Sequence, residues 1–188
     1  IPSMTVIVPP DAVTTRKAVM AAAYYGGPVY IRLSREKLPV LYSSEEPLKV
    51  GKGWTVREGT DVTIFAVGWM VHTALAAAEL LAGQGINARV VDPITVKPID
   101  EHLICQCADE TRCAVTAEEH SVIGGLGDAV GEVLLRSCPI PLERVGVQDS
   151  FGRSGTPKDL LSYFGLTPWA IANAALRAVE RKTTGTPG

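Results

Sequence analysis

Residues 61–68 read DVTIFAVG and are the stretch that decides the fold class. Positions 62–67 are apolar apart from one threonine, which is typical of a strand covered on both faces. Residues 88–91 form another such run, and between the two runs apolar residues recur at helical spacing: Val71, Leu75, Ala78, Leu81 and Ala82. Strand, helix and strand in this order predict a βαβ unit, and therefore an α/β fold with a mostly parallel sheet and flanking helices.

The same alternation continues toward the carboxyl end. The pattern predicts a helix near residues 100–108, a strand at 113–116, a helix at about 127–136, a strand at 142–147, and helices at 158–163 and 168–180. We therefore expect residues 53–181 to form one complete α/β domain. Residues 182–188 are polar and end in glycine, so we expect a disordered tail there.

One edge of this sheet is predicted to be antiparallel. Residues 54–57 have strand character and are separated from the 62–66 run by only four residues, Glu58-Gly59-Thr60-Asp61. That spacing suits a hairpin, which joins two antiparallel strands. We therefore expect strands 54–57 and 62–66 to pair directly with each other.

The residues before this domain predict a smaller α/β layer. Residues 5–8 form a short strand that ends at two prolines, Asp11 can cap a helix over residues 12–25, and residues 29–33 form the next strand. Residues 1–42 are therefore part of a first domain, and residues 43–52 form a linker without sustained periodicity. Because Ile1 and Pro2 are an unusual domain start, we expect the chain to be a piece of something longer.

Composition excludes several classes of partner. The 188 residues are 46% hydrophobic and 20% charged with a net charge of −2, so the chain offers no basic field for a nucleic acid or an anionic membrane. The longest strongly apolar runs are far shorter than the roughly 20 residues that span a bilayer. No basic and apolar leader opens the chain, and we therefore expect a cytoplasmic protein.

The four cysteines, at positions 105, 107, 113 and 138, are too sparse for a disulfide scaffold. We therefore expect reduced thiols. Cys105 and Cys107 lie two positions apart in a predicted helix, so their side chains point in nearly opposite directions. This spacing disfavours joint metal binding, since zinc sites usually show C-x₂₋₄-C pairs.

Ser34-Arg35 is the main candidate for ligand binding. The pair follows the carboxyl end of a predicted strand, which is where open α/β sheets usually place their ligands. The arginine presents a planar fork of donors that suits phosphate or carboxylate, and the serine adds a hydroxyl. The alternative is a surface ion pair between Arg35 and a carboxylate such as Glu36 or Glu45.

Glu118-Glu119-His120 and the following Gly124-Gly125-Leu126-Gly127 form a second candidate. The carboxylates and the imidazole could perform acid and base chemistry, or Glu118 could only cap or orient the turn. The glycines start a helix whose free N–H groups could bind an anion, although close packing explains them as well. His72 and His102 are interpreted as structural, and the polar loop at residues 149–155 is either functional or simply a turn before a helix.

Several motifs in one order resemble the C-terminal half of transketolases. The resemblance covers residues 1 to about 181. It rests on residues 4–12 (MTVIVPPDA), 27–35 (GPVYIRLSR), 61–68, 74–81, 88–100 (ARVVDPITVKPID), 118–120 with 124–127, and 151–155 (FGRSG).

The resemblance implies a place for each part of the chain in a three-domain enzyme. Residues 1–42 would be the tail of the pyrimidine-binding domain, residues 43–52 a linker, and residues 53–181 the C-terminal domain, with the diphosphate-binding domain absent. The complete enzyme would transfer a two-carbon ketol unit between sugar phosphates, using thiamine diphosphate and Mg²⁺ or Ca²⁺. We expect this chain alone to bind neither, and to act with a missing N-terminal portion or a partner subunit.

The resemblance assigns one site residue and no catalytic residue. Arg35 matches the arginine with which the family holds the sugar phosphate. Glu118 and His120 inherit no catalytic role, and a homodimer is expected, with the turn at residues 124–127 as a candidate contact. Related deoxyxylulose-phosphate synthases and 2-oxo-acid dehydrogenase β subunits share this skeleton, and a non-catalytic assembly or effector-binding module is the alternative of another class.

Overall fold

Helices and strands alternate along the chain in a computed structural model that describes residues 1–43 and 48–184. The strands are β1 (Thr5–Ile7), β2 (Val29–Ile31), β3 (Trp54–Arg57), β4 (Val62–Ala66), β5 (Ala88–Asp92), β6 (Thr95–Lys97), β7 (Ala114–Ser121) and β8 (Leu142–Val147). The helices are α1 (Ala12–Ala23), α2 (Trp69–Ala82), α3 (Glu101–Thr111), α4 (Leu126–Ser137), α5 (Pro157–Tyr163) and α6 (Pro168–Thr184). This alternation confirms the predicted α/β class.

The larger sheet has the strand order β3-β5-β4-β7-β8 in the described residues. The pairs β5–β4, β4–β7 and β7–β8 are parallel, and the edge strand β3 is antiparallel to its neighbour. Side chains alternate along the central strand β4, so Ile64 lies in a core with α2 and α6, whereas Phe65 lies in a core with α3 and α4. The mostly parallel sheet, the antiparallel edge and the flanking helices are therefore confirmed.

The predicted pairing of the edge strand was wrong. β3 pairs with β5 and not with β4, with Trp54 opposite Asp92. The connection after β3 runs past the start of β5, where the backbone N–H groups of Thr60 and Asp61 both donate to the Asn87 carbonyl at 3.0 Å. β5 therefore lies between the two strands, and the connection is not a hairpin.

Two predicted boundaries also differ from the structure. Strand β7 continues to Ser121, so Glu118, Glu119 and His120 belong to a strand and not to the loop after it. Helix α6 continues through Thr184, which makes residues 182–184 of the predicted tail helical. Lys182 holds this last turn in place, because its Nζ donates to the carbonyls of Asp61 at 2.7 Å and Thr111 at 3.1 Å. Residues 185–188 of the tail and residues 44–47 of the predicted linker lie outside the described residues.

The amino-terminal segment forms a smaller sheet with a strand that the sequence pattern did not predict. β1 is parallel to β2 and antiparallel to β6, which follows β5 after a two-residue turn. Asp11 fixes the entry to α1, since its Oδ1 accepts from Thr14 N at 2.7 Å and its Oδ2 from Leu41 N at 2.7 Å. Burial alone would raise the pKa of Asp11, but hydrogen bonds from Thr14, Leu41 and Tyr42 hold it below its usual value.

Two of the four cysteines are paired, which corrects the expectation of reduced thiols. Cys105 of α3 and Cys138, which follows α4, form a disulfide with their Cα atoms 5.7 Å apart. The packing of α3 on α4 brings the two positions together, a contact that sequence spacing does not reveal. Cys107 and Cys113 are free and buried. No helix in the described ranges is long and apolar enough to cross a membrane.

Candidate functional site

A cavity of about 600 Å³ opens where the segment after β2 meets the carboxyl ends of β4, β7 and β8. Its volume lies in the usual range of small-molecule sites. Its polar walls include Ser34, Arg35, Glu36, Glu119 and Arg153. Its apolar walls include Trp69, Leu160 and Phe164. The position agrees with the general rule that ligands bind at the carboxyl ends of strands in open α/β sheets.

Arg35 lies on the wall of this cavity and is exposed. In the described part of the chain no carboxylate lies within 4.0 Å of its guanidinium, so the alternative of an ion pair with Glu36 is not formed. Glu45, the other alternative partner, lies outside the described residues. Ser34 shapes the turn, because its Oγ accepts from Glu36 N at 3.1 Å. The binding role of Arg35 remains a prediction.

Arg32 joins the two sheets beneath this wall. Its backbone N donates to the Ile7 carbonyl at 2.9 Å, which continues the β1–β2 pairing, and its Nη2 donates to the Glu119 carbonyl on β7. The guanidinium therefore connects the end of β2 to the end of β7. This connection fixes the segment that carries Ser34 and Arg35 against the larger sheet.

The three polar residues at the end of β7 face two different cavities. Side chains alternate along a strand, and Glu119 lines the cavity that holds Arg35, whereas Glu118 and His120 line a second cavity of about 500 Å³ beside α4. The sequence left open whether these residues form an acid and base set or whether Glu118 only caps the turn. The structure separates them and brings only Glu119 into the cavity with Arg35.

Glu118 caps helix α4. Its side chain is 3% exposed, and its Oε2 and Oε1 accept from Leu126 N at 2.7 Å and Gly127 N at 2.8 Å. Burial raises the pKa of Glu118, and these two N–H donors oppose the rise. The carboxylate thus supplies the cap that the N-cap residue Gly125 has no side chain to provide.

The glycines before α4 are explained by close packing. A Cβ on Gly125 would lie 1.9 Å from Glu118 Oε2, and a Cβ on Gly127 would lie 2.9 Å from Arg144 Cδ. The N–H groups that could have held an anion are occupied, since Glu118 accepts from residues 126 and 127 and Asp128 Oδ2 accepts from Gly124. Of the two alternatives for this turn, the structure favours packing.

We expect Glu118→Gln to lower the free energy of unfolding by about 1 to 3 kcal/mol, because an amide can accept from only one of the two buried N–H groups and presents a donor to the other. Urea denaturation of both proteins measures the change. Glu119→Gln is the matched control, since that half-buried carboxyl caps nothing. Equal losses of stability in the two variants would contradict the capping role.

Two of the three histidines contact backbone carbonyls and the third is exposed, so the structural interpretation of His72 and His102 stays a prediction. His72 Nε2 lies 3.0 Å from the Pro10 carbonyl, and His120 Nδ1 lies 2.9 Å from the Ser121 carbonyl. His102 is exposed on α3, away from the cavity that Arg35 lines.

Sequence reasoning left one residue of this cavity without a role. Arg153 lies in the polar loop after β8, and the pattern could not decide whether that loop is functional. Trp69 was not singled out either, and Glu119 was proposed only as part of the set with Glu118 and His120. The available signal for Arg153 was its loop, which follows the last parallel strand, because the carboxyl ends of parallel strands meet at one edge of the sheet.

Fold and site together define the class of this protein: it belongs to the transketolase family, and the family profile described as "Transketolase, C-terminal domain" matches residues 51–171. Among individual proteins, the chain is 49% identical over 182 residues to the 6-deoxy-6-sulfo-D-fructose transketolase subunit SqwH of Clostridium sp. (strain MSTE9), which covers 97% of this chain and 56% of that subunit. It is 41% identical over 185 residues to the putative transketolase C-terminal section of Methanocaldococcus jannaschii, covering 97% and 58%.

A solved structure has nearly the same fold. The structure described as "Split gene transketolase, inactive beta4 tetramer" superposes with a TM-score of 0.94 at 49% identity, covering 97% of this chain and 60% of that one. The chain therefore spans little more than half the length of these three relatives.

Proposed function

We propose that this chain is the C-terminal part of an enzyme that transfers a two-carbon ketol unit from a ketose phosphate to an aldose phosphate. Its contribution is a site for the sugar phosphate, centred on Arg35, and a domain for assembly. The single observation that carries the proposal is the Arg35 guanidinium, exposed on the wall of a 600 Å³ cavity with no described carboxylate within ion-pair distance.

The remaining walls suit the rest of such a substrate. A guanidinium binds a phosphate through paired, charge-assisted hydrogen bonds. The carboxylates of Glu36 and Glu119 can accept hydrogen bonds from sugar hydroxyls, and Trp69 offers an apolar face. A sugar phosphate combines an anion with a row of hydroxyls, so the arginine can bind its phosphate while the two carboxylates bind its hydroxyls.

The described residues offer no group of metal ligands. In residues 1–43 and 48–184 no three His, Cys, Asp or Glu side chains are grouped so that they could hold a metal ion. We therefore assign thiamine diphosphate and its Mg²⁺ or Ca²⁺ to the remainder of the enzyme.

The proposal includes partner polypeptides. A missing N-terminal portion or a partner subunit would supply the cofactor site, and we keep the homodimer and the cytoplasmic location as predictions. The exposed Ile123 and Gly124, which precede α4, are a candidate contact between copies. The solved relative is described as a tetramer.

A substrate panel on the complete enzyme tests the proposal. With cofactor and Mg²⁺ present, a ketose phosphate donor and an aldose phosphate acceptor should give the two sugars whose carbon numbers have shifted by two, as measured by mass spectrometry. Release of CO₂ from pyruvate with formation of a deoxy sugar phosphate would instead indicate a synthase, and oxidative decarboxylation would indicate a dehydrogenase component. Absence of turnover in the complete assembly would favour the non-catalytic module.

A further inference from the structure

We propose that Arg153 is a second cation of the Arg35 cavity, and that it makes the site prefer a doubly charged phosphate over a singly charged tetrahedral anion such as a sulfonate. This inference rests on the proposed function, because it concerns the same site. It assigns a specificity-determining role to a residue of the C-terminal domain, which follows a strand of a different sheet from the one that Arg35 follows.

Arg35 and Arg153 share one cavity. Arg35 follows β2 of the small sheet, and Arg153 follows β8 at the edge of the large sheet, yet both line the same 600 Å³ space. Both side chains are exposed, and within the described ranges neither has a carboxylate within 4.0 Å. Two arginines without a described carboxylate partner in one cavity leave their N–H donors available to a ligand.

Arg153 is held in place by its contact with an aromatic ring. Its guanidinium carbon lies 4.7 Å from the centroid of the Tyr163 ring, and that ring packs edge-on against Phe164 at 5.0 Å. Phe164 is itself part of the cavity wall. A guanidinium over a ring is held by its face, while the N–H groups at its edge stay free to donate.

The charges of the cavity lining balance only when Arg153 is included. Glu36 and Glu119 also line the cavity, so one arginine alone would leave the lining net negative. The second arginine brings the lining to neutrality and lets an anion enter. A phosphate monoester is mostly a dianion above its second pKa of about 6, whereas a sulfonate carries one charge. Two guanidinium groups therefore favour the dianion more than the monoanion.

The test compares three donors on the complete enzyme: a ketose phosphate, the matching sulfonated ketose and hydroxypyruvate, which has no terminal anion of this kind. We expect Arg153→Ala to raise KM for the phosphate donor about 5- to 30-fold, with less than about 3-fold for the sulfonate and no change for hydroxypyruvate. Lys158→Ala is the matched control, because it removes a nearby positive charge from α5 without touching the cavity lining. It should change no KM by more than about 2-fold.

Equilibrium binding of the ketose phosphate to the complete protein without cofactor gives a readout besides turnover. Arg153→Lys should recover part of the affinity, and the effect of Arg153→Ala should fade as the pH falls below about 6 and the phosphate becomes a monoanion. Losses in Arg35→Ala and Arg153→Ala should also combine less than additively, because both groups would hold one anion.

The outcomes separate this inference from the proposed function. Loss of phosphate binding in Arg35→Ala but not in Arg153→Ala overturns the inference and leaves the function standing. Equal losses in Arg153→Ala for all three donors mean that Arg153 is structural and overturn the inference as well. No loss in either variant removes the phosphate site from this cavity: the inference and the Arg35 site both fail, and ketol transfer then depends on the substrate panel alone.

Discussion

The wild-type protein is expected to lose stability through Asp92 as the pH rises from about 4 to above 7, and Asp92→Asn is expected to abolish most of this loss. Asp92 is fully buried at the end of β5. Its Oδ1 accepts from Ile94 N at 2.8 Å, and its Oδ2 accepts from the Tyr42 hydroxyl at 3.1 Å. Burial raises the pKa of Asp92 from 3.8 to about 7, with a further rise from the Asp11 carboxylate and opposition from the two donors.

The sign follows from where the proton binds. Between pH 3.8 and about 7 the folded protein keeps the proton on Asp92 that the unfolded chain has lost, so the free energy of unfolding falls as the pH rises. The stabilising contribution of Asp92 is fully present below the pKa of 3.8 in the unfolded chain, and it is lost as the pH rises through the pKa of about 7 in the folded protein. At about 1.4 kcal/mol for each pKa unit, the loss amounts to about 4 kcal/mol.

Urea denaturation of wild type and variant across this pH range measures the effect, and the difference between the two curves isolates Asp92 from other carboxyls. Asparagine preserves the acceptor for Ile94 N, so the fold around the turn should survive. Tyr42→Phe is the companion variant: it removes a donor that lowers the pKa of Asp92, and the loss should therefore move to higher pH. Parallel curves for wild type and Asp92→Asn would contradict the prediction.

Local pattern was enough for most of the helices and strands, with β6 as an exception, but not for the pairing of the strands. The apolar run at β4 and the helical spacing of α2 are properties of neighbouring residues, so strand and helix could be predicted. The partner of β3 could not be predicted, because the connection after β3 passes Asn87 at the start of β5, and this places β5 between β3 and β4. The Cys105–Cys138 disulfide was missed for the same reason, since only the packing of α3 on α4 brings the sulfurs together.

The candidate site divides in the same way. Arg35 could be proposed from its place after a predicted strand, and the structure places it on a cavity wall. The role of Glu118 depended on the true end of β7: a strand that runs to Ser121 alternates its side chains, and this alternation turns Glu118 toward α4 and Glu119 toward Arg35. The contribution of Arg153 required both sheets to be assembled, because it and Arg35 are more than a hundred positions apart.

Arg35→Ala in the complete enzyme is expected to weaken the binding of phosphorylated sugars by roughly 10- to 150-fold. The variant removes a charge-assisted contact worth about 1.5 to 3 kcal/mol, and about 1.4 kcal/mol corresponds to a factor of ten. The phosphate lies at the far end of the sugar from the reacting carbonyl, so the loss should appear chiefly in KM. Part of the loss can also appear in kcat if the contact between Arg35 and the phosphate orients the sugar for reaction.

Hydroxypyruvate provides the decisive comparison, because it has no phosphate for the guanidinium to bind and its KM should hardly change in Arg35→Ala. Arg35→Lys should recover part of the loss for sugar phosphates, since it restores the charge without the paired donors. Arg32→Ala separates binding from positioning: Arg32 joins β2 to the Glu119 carbonyl, so its loss should affect both kinds of donor by loosening the wall. Equal losses for phosphorylated and unphosphorylated donors in Arg35→Ala would make Arg35 a structural residue like Arg32, and the phosphate would have to bind elsewhere.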